Sequence, residues 1–340
     1  MKTMKAMVCR DIGSLDHLAI QEVDFPVPSP DEAVVAVKAA ALNHRDWWIV
    51  QGLYSKIRVP AILGSDAAGT VHSVGQSRWD SWIGRSVVIN PSLNWGSDQK
   101  VQSSDYKILG MPDQGTLAEY VKVPVANLVP SPDHLTVEES AALPLAGLTA
   151  YRALFTKGRL REGESILISG IGGGVASIIF QMALAAGARI AVASSSDDKI
   201  ARALKMGATV GINYTREGEF KKGQADLDKS GGVDLVCDGA GGPVFNELLG
   251  LINPGGRIVI YGATAGNPPM IDVRRIFWKQ IQVLGSTMGN EEDFRDMMSF
   301  VKKHRIHPAI HRVFPLAEFR QAFECMKDGL QFGKIVIKTS

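Results

Sequence analysis

Only three cysteines occur in this chain of 340 residues, Cys9, Cys237 and Cys325, and they are widely separated. That spacing excludes a disulfide framework and a C-x-x-C zinc clasp, and leaves reduced thiols as the expectation. No run of about 18 apolar residues is present, so no membrane-spanning helix is expected, and Met1 to Lys5 leads into no apolar signal core. Charge of one sign is also scarce. The net charge is +2, with Lys and Arg scattered along the chain, which argues against nucleic-acid and membrane partners; without an expected span or signal core, the cytoplasm is the expected location.

What remains is ordinary globular composition, 45% hydrophobic and 21% charged, in a chain long enough for two cores. The first third is strand-rich, with β-prone runs at Ala33–Val37, Gly69–Val74 and Ser86–Ile89 punctuated by Gly and Pro. Residues 92 to 115 are polar and aperiodic, a long connection of the kind that is either functional or surface filler. Further on, strands alternate with helical segments. Ile166–Ile168, Ile190–Ala193, Val210–Ile212, Val233–Cys237, Ile258–Tyr261 and Ile281–Leu284 predict a doubly wound parallel sheet of six strands. Helices around Phe294–Lys303 and Leu316–Met326 and a final strand Lys334–Ile337 follow.

The first of the six strands runs directly into Gly170-Ile171-Gly172-Gly173-Gly174-Val175-Ala176 and then a helix. Residues without side chains let backbone N–H groups approach a pyrophosphate, whose charge also favours a helix N-terminus. At a strand-to-helix junction this cluster marks a dinucleotide site, with Gly170, Gly172, Gly173, Gly174 and Val175 as its contacts. At the end of the second strand, where NAD-binding proteins usually present Asp or Glu to the ribose, stand Ser194-Ser195-Ser196. Hydroxyls there, with Lys199 nearby, suit a 2′-phosphate and point to NADPH. Asp197 and Asp198 fall where the next helix should begin and are expected to cap it.

Five segments in order resemble the medium-chain dehydrogenase/reductase superfamily, nearest its zinc-free, quinone-oxidoreductase-like branch. They are Ala40–Asp46 (AALNHRD), Ile62–Gly69 (ILGSDAAG), Gly115–Tyr120 (GTLAEY), Ala141–Tyr151 (AALPLAGLTAY) and the glycine turn. The resemblance implies a GroES-like β-rich catalytic domain of residues 1–127 and 286–340, and a Rossmann domain of residues 128–285. It also implies cofactor contacts at Thr149, Lys199, Tyr214 and Gly262, and homodimers joined through sheet edges near the segment after Tyr261.

Zinc alcohol dehydrogenases of this superfamily hold a catalytic metal with a Cys, a His-Glu pair and a later Cys or acidic residue. The resemblance puts Asn43, Ser65-Asp66 and Leu145 at those positions, a poor donor set for zinc. His304, His307 and His311 offer no substitute, because Pro308 interrupts any helix that would align them. Without a metal to polarise a carbonyl, the expected reaction is NADPH-dependent reduction of an acceptor already electron-poor at carbon, a quinone or an α,β-unsaturated carbonyl. Alcohol oxidation, enoyl-thioester reduction and non-catalytic redox sensing are the alternatives. Asn43 and Asp46 are candidates to orient substrate or nicotinamide, Asp46 equally a helix cap; Tyr54 is a candidate proton donor, or equally a packed aromatic.

Overall fold

The computed structural model describes residues 2–339, which form two compact units, residues 2–146 with 289–339, and residues 147–288. No helix among the described residues is long and apolar enough to cross a membrane.

The first unit is built on β-sheets. Its larger sheet runs in the order Leu128–Pro130, Ser86–Ile89, Asp66–Val74, Glu32–Ala41, Lys334–Lys338, Ile310–Pro315, and Tyr120–Pro124 also pairs with Glu32–Ala41. A smaller sheet orders Leu18–Asp24, Thr3–Cys9 and Ala61–Ile62. A Cβ on Gly69 would lie 2.1 Å from the Ala36 carbonyl oxygen, so only glycine fits there. Inward residues including Met7, Leu18, Val35, Leu63, Phe314 and Phe323 make the core, the main source of stabilisation by burial.

Residues 128–146 lie in this unit, although the sequence expectation began the second domain at residue 128. Leu128–Pro130 pairs antiparallel with Ser86–Ile89, and the helix Val137–Ala142 packs on Glu32–Ala41 and Asp66–Val74. The segment from residue 92 to 115 is mostly irregular, fastened by the short pair Ser92–Leu93 and Lys107–Ile108 and by buried Trp95, whose indole N–H donates to the Asp98 carbonyl at 2.9 Å.

The C-terminal segment returns to complete this sheet. Asn290 caps the helix Glu291–His304, whose first turn is acidic and last turn basic, as the helix dipole favours. Lys334–Lys338 then pairs antiparallel with Glu32–Ala41, Val336 opposite Ala41. Continuing that register, with Leu42 N–H bonded to the Ile335 carbonyl at 3.0 Å, brings Lys334 beside Asn43.

The second unit is a Rossmann domain. Its six strands are parallel in the order Val210–Asn213, Arg189–Ser194, Ser165–Ser169, Val233–Asp238, Ile252–Ile260, Gln282–Gly285, with helices in the crossovers. The chain direction of strand order reverses between Ser165–Ser169 and Val233–Asp238, and doubly wound folds bind ligands at the carboxyl ends of strands flanking such a reversal.

Candidate active site

In the second unit the strand Ser165–Ser169 ends at Gly170, φ +62°, and Gly172 has φ +114°, backbone that an L side chain enters only with strain. Gly173 is the N-cap of the helix Gly174–Ala185, and Val175 and Ala176 lie in its first turn. Ile171 N–H bonds to the Ala193 carbonyl at 3.1 Å, tying the turn to the second strand. Beneath it, the buried Asp238 carboxylate accepts from Ser169 Oγ and from the Ala240 and Gly241 N–H groups, joining the carboxyl ends of the two strands at the reversal. This is a turn of bare backbone at a helix N-terminus, and it fits a pyrophosphate.

At the second strand's end Ser194 is buried, its Oγ accepting from Ser196 N–H at 3.2 Å, while Ser195 is exposed. The helix begins at Asp197, but Ser196 caps it, accepting from the Lys199 N–H. Asp197 and Asp198 occupy the first turn; Asp197 accepts from Asn213 Nδ2 at 2.7 Å and pairs with Arg216. The acidic group nearest the serines is thus matched by a guanidinium that sequence reasoning did not single out. Tyr214 N–H bonds to the Ser194 carbonyl at 3.2 Å, which places Tyr214 beside the same strand end. Thr149 is buried with its hydroxyl on Met288 Sδ, and a Cβ on Gly262 would lie 2.9 Å from the Gly239 carbonyl oxygen.

The first unit gathers the other candidates. Asn43, Arg45, Asp46, Ser65, Asp66 and Lys334 are all buried around the start of the short helix His44–Val50. Asp46 accepts from the Asn43 N–H at 2.9 Å and the Gly64 N–H at 3.2 Å, bonds that fix the helix start and its approach to the Gly64 loop. Its burial pushes the carboxyl pKa up.

The Asn43 side chain faces elsewhere. Lys334 Nζ donates to Asn43 Oδ1 at 2.6 Å, to Asp66 Oδ2 at 2.9 Å and to the Leu42 carbonyl at 2.9 Å, so all three ammonium protons have acceptors. Asn43 Nδ2 donates to Asp66 Oδ2 at 2.9 Å, and Leu145 N–H donates to Asp66 Oδ1 at 2.7 Å. Ser65 belongs to Arg45: Arg45 Nη1 donates to Ser65 Oγ and to the Leu109 carbonyl, and Ser65 Oγ donates to that same carbonyl at 2.7 Å.

Every position that the resemblance matches to a metal ligand is therefore engaged with a cation or a backbone group, or is a leucine. An amide oxygen and a carboxylate already bound to an ammonium, with a hydroxyl bound to a guanidinium, do not fit zinc. Among the described residues no group of three or more His, Cys, Asp or Glu side chains is arranged to hold a metal. His307 instead pairs with Glu139 at 2.9 Å, and His304 lies against Phe300.

Tyr54 is half-buried in the turn that follows the helix His44–Val50, with Arg45 Nε 3.4 Å from its hydroxyl and the guanidinium carbon 5.0 Å from its ring centre. His44 is half-buried too, and burial followed by the Lys334 charge lowers its pKa. A groove of about 900 Å³ in this unit, lined by Phe25, Pro60, Gln114 and Tyr120 among others, contains none of Asn43, Arg45, Asp46 or Tyr54. Sequence reasoning missed Arg45 and Lys334. The available signals were an arginine inside the Asn43–Asp46 segment and a lysine opening an otherwise apolar strand.

Two family models match the chain, an alcohol dehydrogenase GroES-like domain over residues 29–133 and a zinc-binding dehydrogenase domain over residues 174–303. A zinc-type alcohol dehydrogenase-like protein of Leptosphaeria maculans is 35% identical over 94% of this chain and 94% of its own length. An acryloyl-coenzyme A reductase of Sulfurisphaera tokodaii is 30% identical over 98% of this chain and all of its own. A crystal structure of an NAD-dependent alcohol dehydrogenase superposes with a TM-score of 0.92 at 34% identity, covering 99% of this chain and 100% of that one. With a GroES-like β-unit and a six-stranded Rossmann unit matched in order along its length, the chain belongs to the medium-chain dehydrogenase/reductase superfamily of oxidoreductases.

Proposed function

We propose that this protein is a zinc-independent, NADPH-dependent reductase that adds hydride to an activated acceptor, a quinone or an α,β-unsaturated carbonyl. One observation carries the reading. Lys334 and Arg45 are bonded into the positions matched to metal ligands, which supports a site working by hydrogen bonds and fixed charge. Such groups stabilise an oxyanion less than a metal does, and conjugated acceptors demand less because their charge is spread.

When bound, the reduced nicotinamide supplies the hydride. The glycine turn from Gly170 to Gly174 holds the pyrophosphate, and Ser194, Ser195, Lys199 and Tyr214 hold the 2′-phosphate, with Arg216 matching the Asp197 charge that would otherwise repel it. Asn43 and Asp46 fix the start of the helix His44–Val50 that leads to Tyr54, and Tyr54 donates its hydroxyl proton to the acceptor oxygen. The acryloyl-coenzyme A reductase relative favours a second reading within the same bond class, an enoyl thioester as acceptor.

Two copies associate in this reading. Gln282–Gly285 is an edge strand on which Val283 is exposed, and Ile271, Val273, Phe277 and Trp278 in the segment leading to it are exposed too, an apolar margin that a second copy would cover.

The test is oxidation of NADPH and NADH by purified protein against quinones, enones, enoyl thioesters, aldehydes and alcohols, with metal content measured on the same sample. Stoichiometric zinc, or alcohol oxidation as the main activity, would sink the proposal. Tight NADPH binding with no acceptor turned over would move redox sensing ahead of it. Lys199→Ala is expected to weaken NADPH much more than NADH, and Ser194→Asp to shift preference toward NADH; equal loss of both cofactors would contradict the 2′-phosphate assignment.

A further inference from the structure

The two buried cations of the first unit differ in one respect. Lys334 meets a carboxylate directly, at 2.9 Å from Asp66 Oδ2. Arg45, only 6% exposed, makes no ion pair among the described residues. Its hydrogen-bond partners are neutral oxygens, Ser65 Oγ, the Leu109 carbonyl at 2.7 Å, the Ile108 carbonyl at 3.5 Å and the Tyr54 hydroxyl at 3.4 Å. Asp46 feels its charge only at longer range. A guanidinium taken out of water without a counter-ion in contact is costly, and such groups cluster where negative charge forms during a reaction.

We infer that Arg45 is the positioning residue that carries the charge of proton donation, acting through Tyr54. The inference rests on the Tyr54 donor reading above. Nη1 is anchored on Ser65 and Leu109, which leaves the Nε–H edge directed at the phenolic oxygen. That hydroxyl receives from Arg45 and so has its own proton free to give to a substrate oxygen.

In reduction of an enone, the hydride that a bound reduced nicotinamide would supply forms the C–H bond at the β-carbon, and the displaced electron pair passes through the conjugated system to the carbonyl oxygen. That oxygen takes the Tyr54 proton, the tyrosinate left behind faces the Arg45 cation, and a proton from water restores the phenol. The enol then takes a proton at its α-carbon and returns one from oxygen, giving the saturated ketone. NADPH is oxidised, the C=C bond is reduced, and one proton is consumed overall. The 3.4 Å Nε to oxygen contact is long for the ground state and has room to tighten as phenolate charge develops.

The experiment is a double-mutant cycle on the full-length protein, Arg45→Met and Arg45→Lys, each with Tyr54 and with Tyr54→Phe, using an enone the wild type reduces. The readouts are kcat, acceptor KM, NADPH dissociation constant and thermal midpoint. We expect Arg45→Met to lower kcat at least about tenfold when Tyr54 is present and less than about twofold when it is Phe. KM and NADPH affinity should stay within about twofold, and Arg45→Lys should recover most of the loss because the cation is kept. An equal loss in both backgrounds, or Arg45→Lys no better than Arg45→Met, overturns the inference while leaving the reductase reading intact. If Arg45→Met does not fold, Arg45→Gln takes its place in both backgrounds: a loss present with Tyr54 and absent with Phe supports the coupling, and equal effects refute it. A wild type that reduces no enone or quinone, or a Tyr54→Phe variant with full kcat, removes the underlying reading and this one with it.

Discussion

Replacing Lys334 with methionine tests most directly how the first unit tolerates its unusual centre. Lys334 and Asp66 are 2% and 0% exposed at their side chains, and the ammonium gives all three of its protons to Leu42, Asn43 and Asp66. Lys334→Met keeps the length of the side chain and removes the charge. Asp66 would retain the Asn43 and Leu145 donors but lose its counter-ion, and Asn43 Oδ1 would lose its donor. Breaking a buried pair from one side costs about 3–5 kcal/mol, because the remaining charge stays out of water. For a unit of this size each kcal/mol is worth about 2–4 °C, so the midpoint should fall by roughly 6–20 °C. Lys334→Met combined with Asp66→Leu removes both charges and should recover at least about 1 kcal/mol of that loss. Differential scanning calorimetry of the two variants and the wild type measures both steps. A single-variant loss below about 1 kcal/mol, or a double variant no more stable than the single, would refute the account of the pair as a desolvated charge couple.

Three other outcomes are expected. Gly172→Ala places a Cβ on backbone with φ +114°, at a cost of about 1–3 kcal/mol, and should weaken nicotinamide cofactor binding measured by titration calorimetry; unchanged affinity and stability would remove the turn's conformational requirement. His44 has a lowered pKa in the folded protein, so the unfolded chain takes up the proton first and stability is lost as pH falls below about 6.5. His44→Gln should flatten that decline in urea midpoints between pH 8 and 5, and an unaltered slope would assign it to other groups. Trp278→Glu, at a side chain 82% exposed on the apolar margin, should convert a dimer to a monomer in light scattering; a monomeric wild type ends that assignment.

Much of the architecture could be read locally. The inner Rossmann strands were visible as short apolar runs because a parallel sheet is covered on both faces there, and the glycine cluster announced itself at the end of the first. The hairpin of Thr3–Cys9 and Leu18–Asp24 was not apparent, since one of its strands alternates buried and exposed residues and carries charge. The role of residues 128–146 was not visible either. Pairing of Leu128–Pro130 with Ser86–Ile89 is a contact between segments far apart in the chain, and local composition carries no trace of it.

The candidate site divides in the same way. Sequence by itself placed the glycine turn and the serines that follow the second strand, because each depends on residue type at positions fixed by short-range order; the departure from a zinc donor set came from the family resemblance. Only the tertiary structure decided what stands around Asn43 and Ser65. Lys334 lies almost at the other end of the chain, and the antiparallel register of the last strand on Glu32–Ala41 sets its ammonium beside Asn43 and Asp66. Arg45 lies within the Ala40–Asp46 segment, yet its significance lies in having neutral partners. Burial and the absence of a counter-ion are properties of packing, and the linear order of residues does not encode them one position at a time.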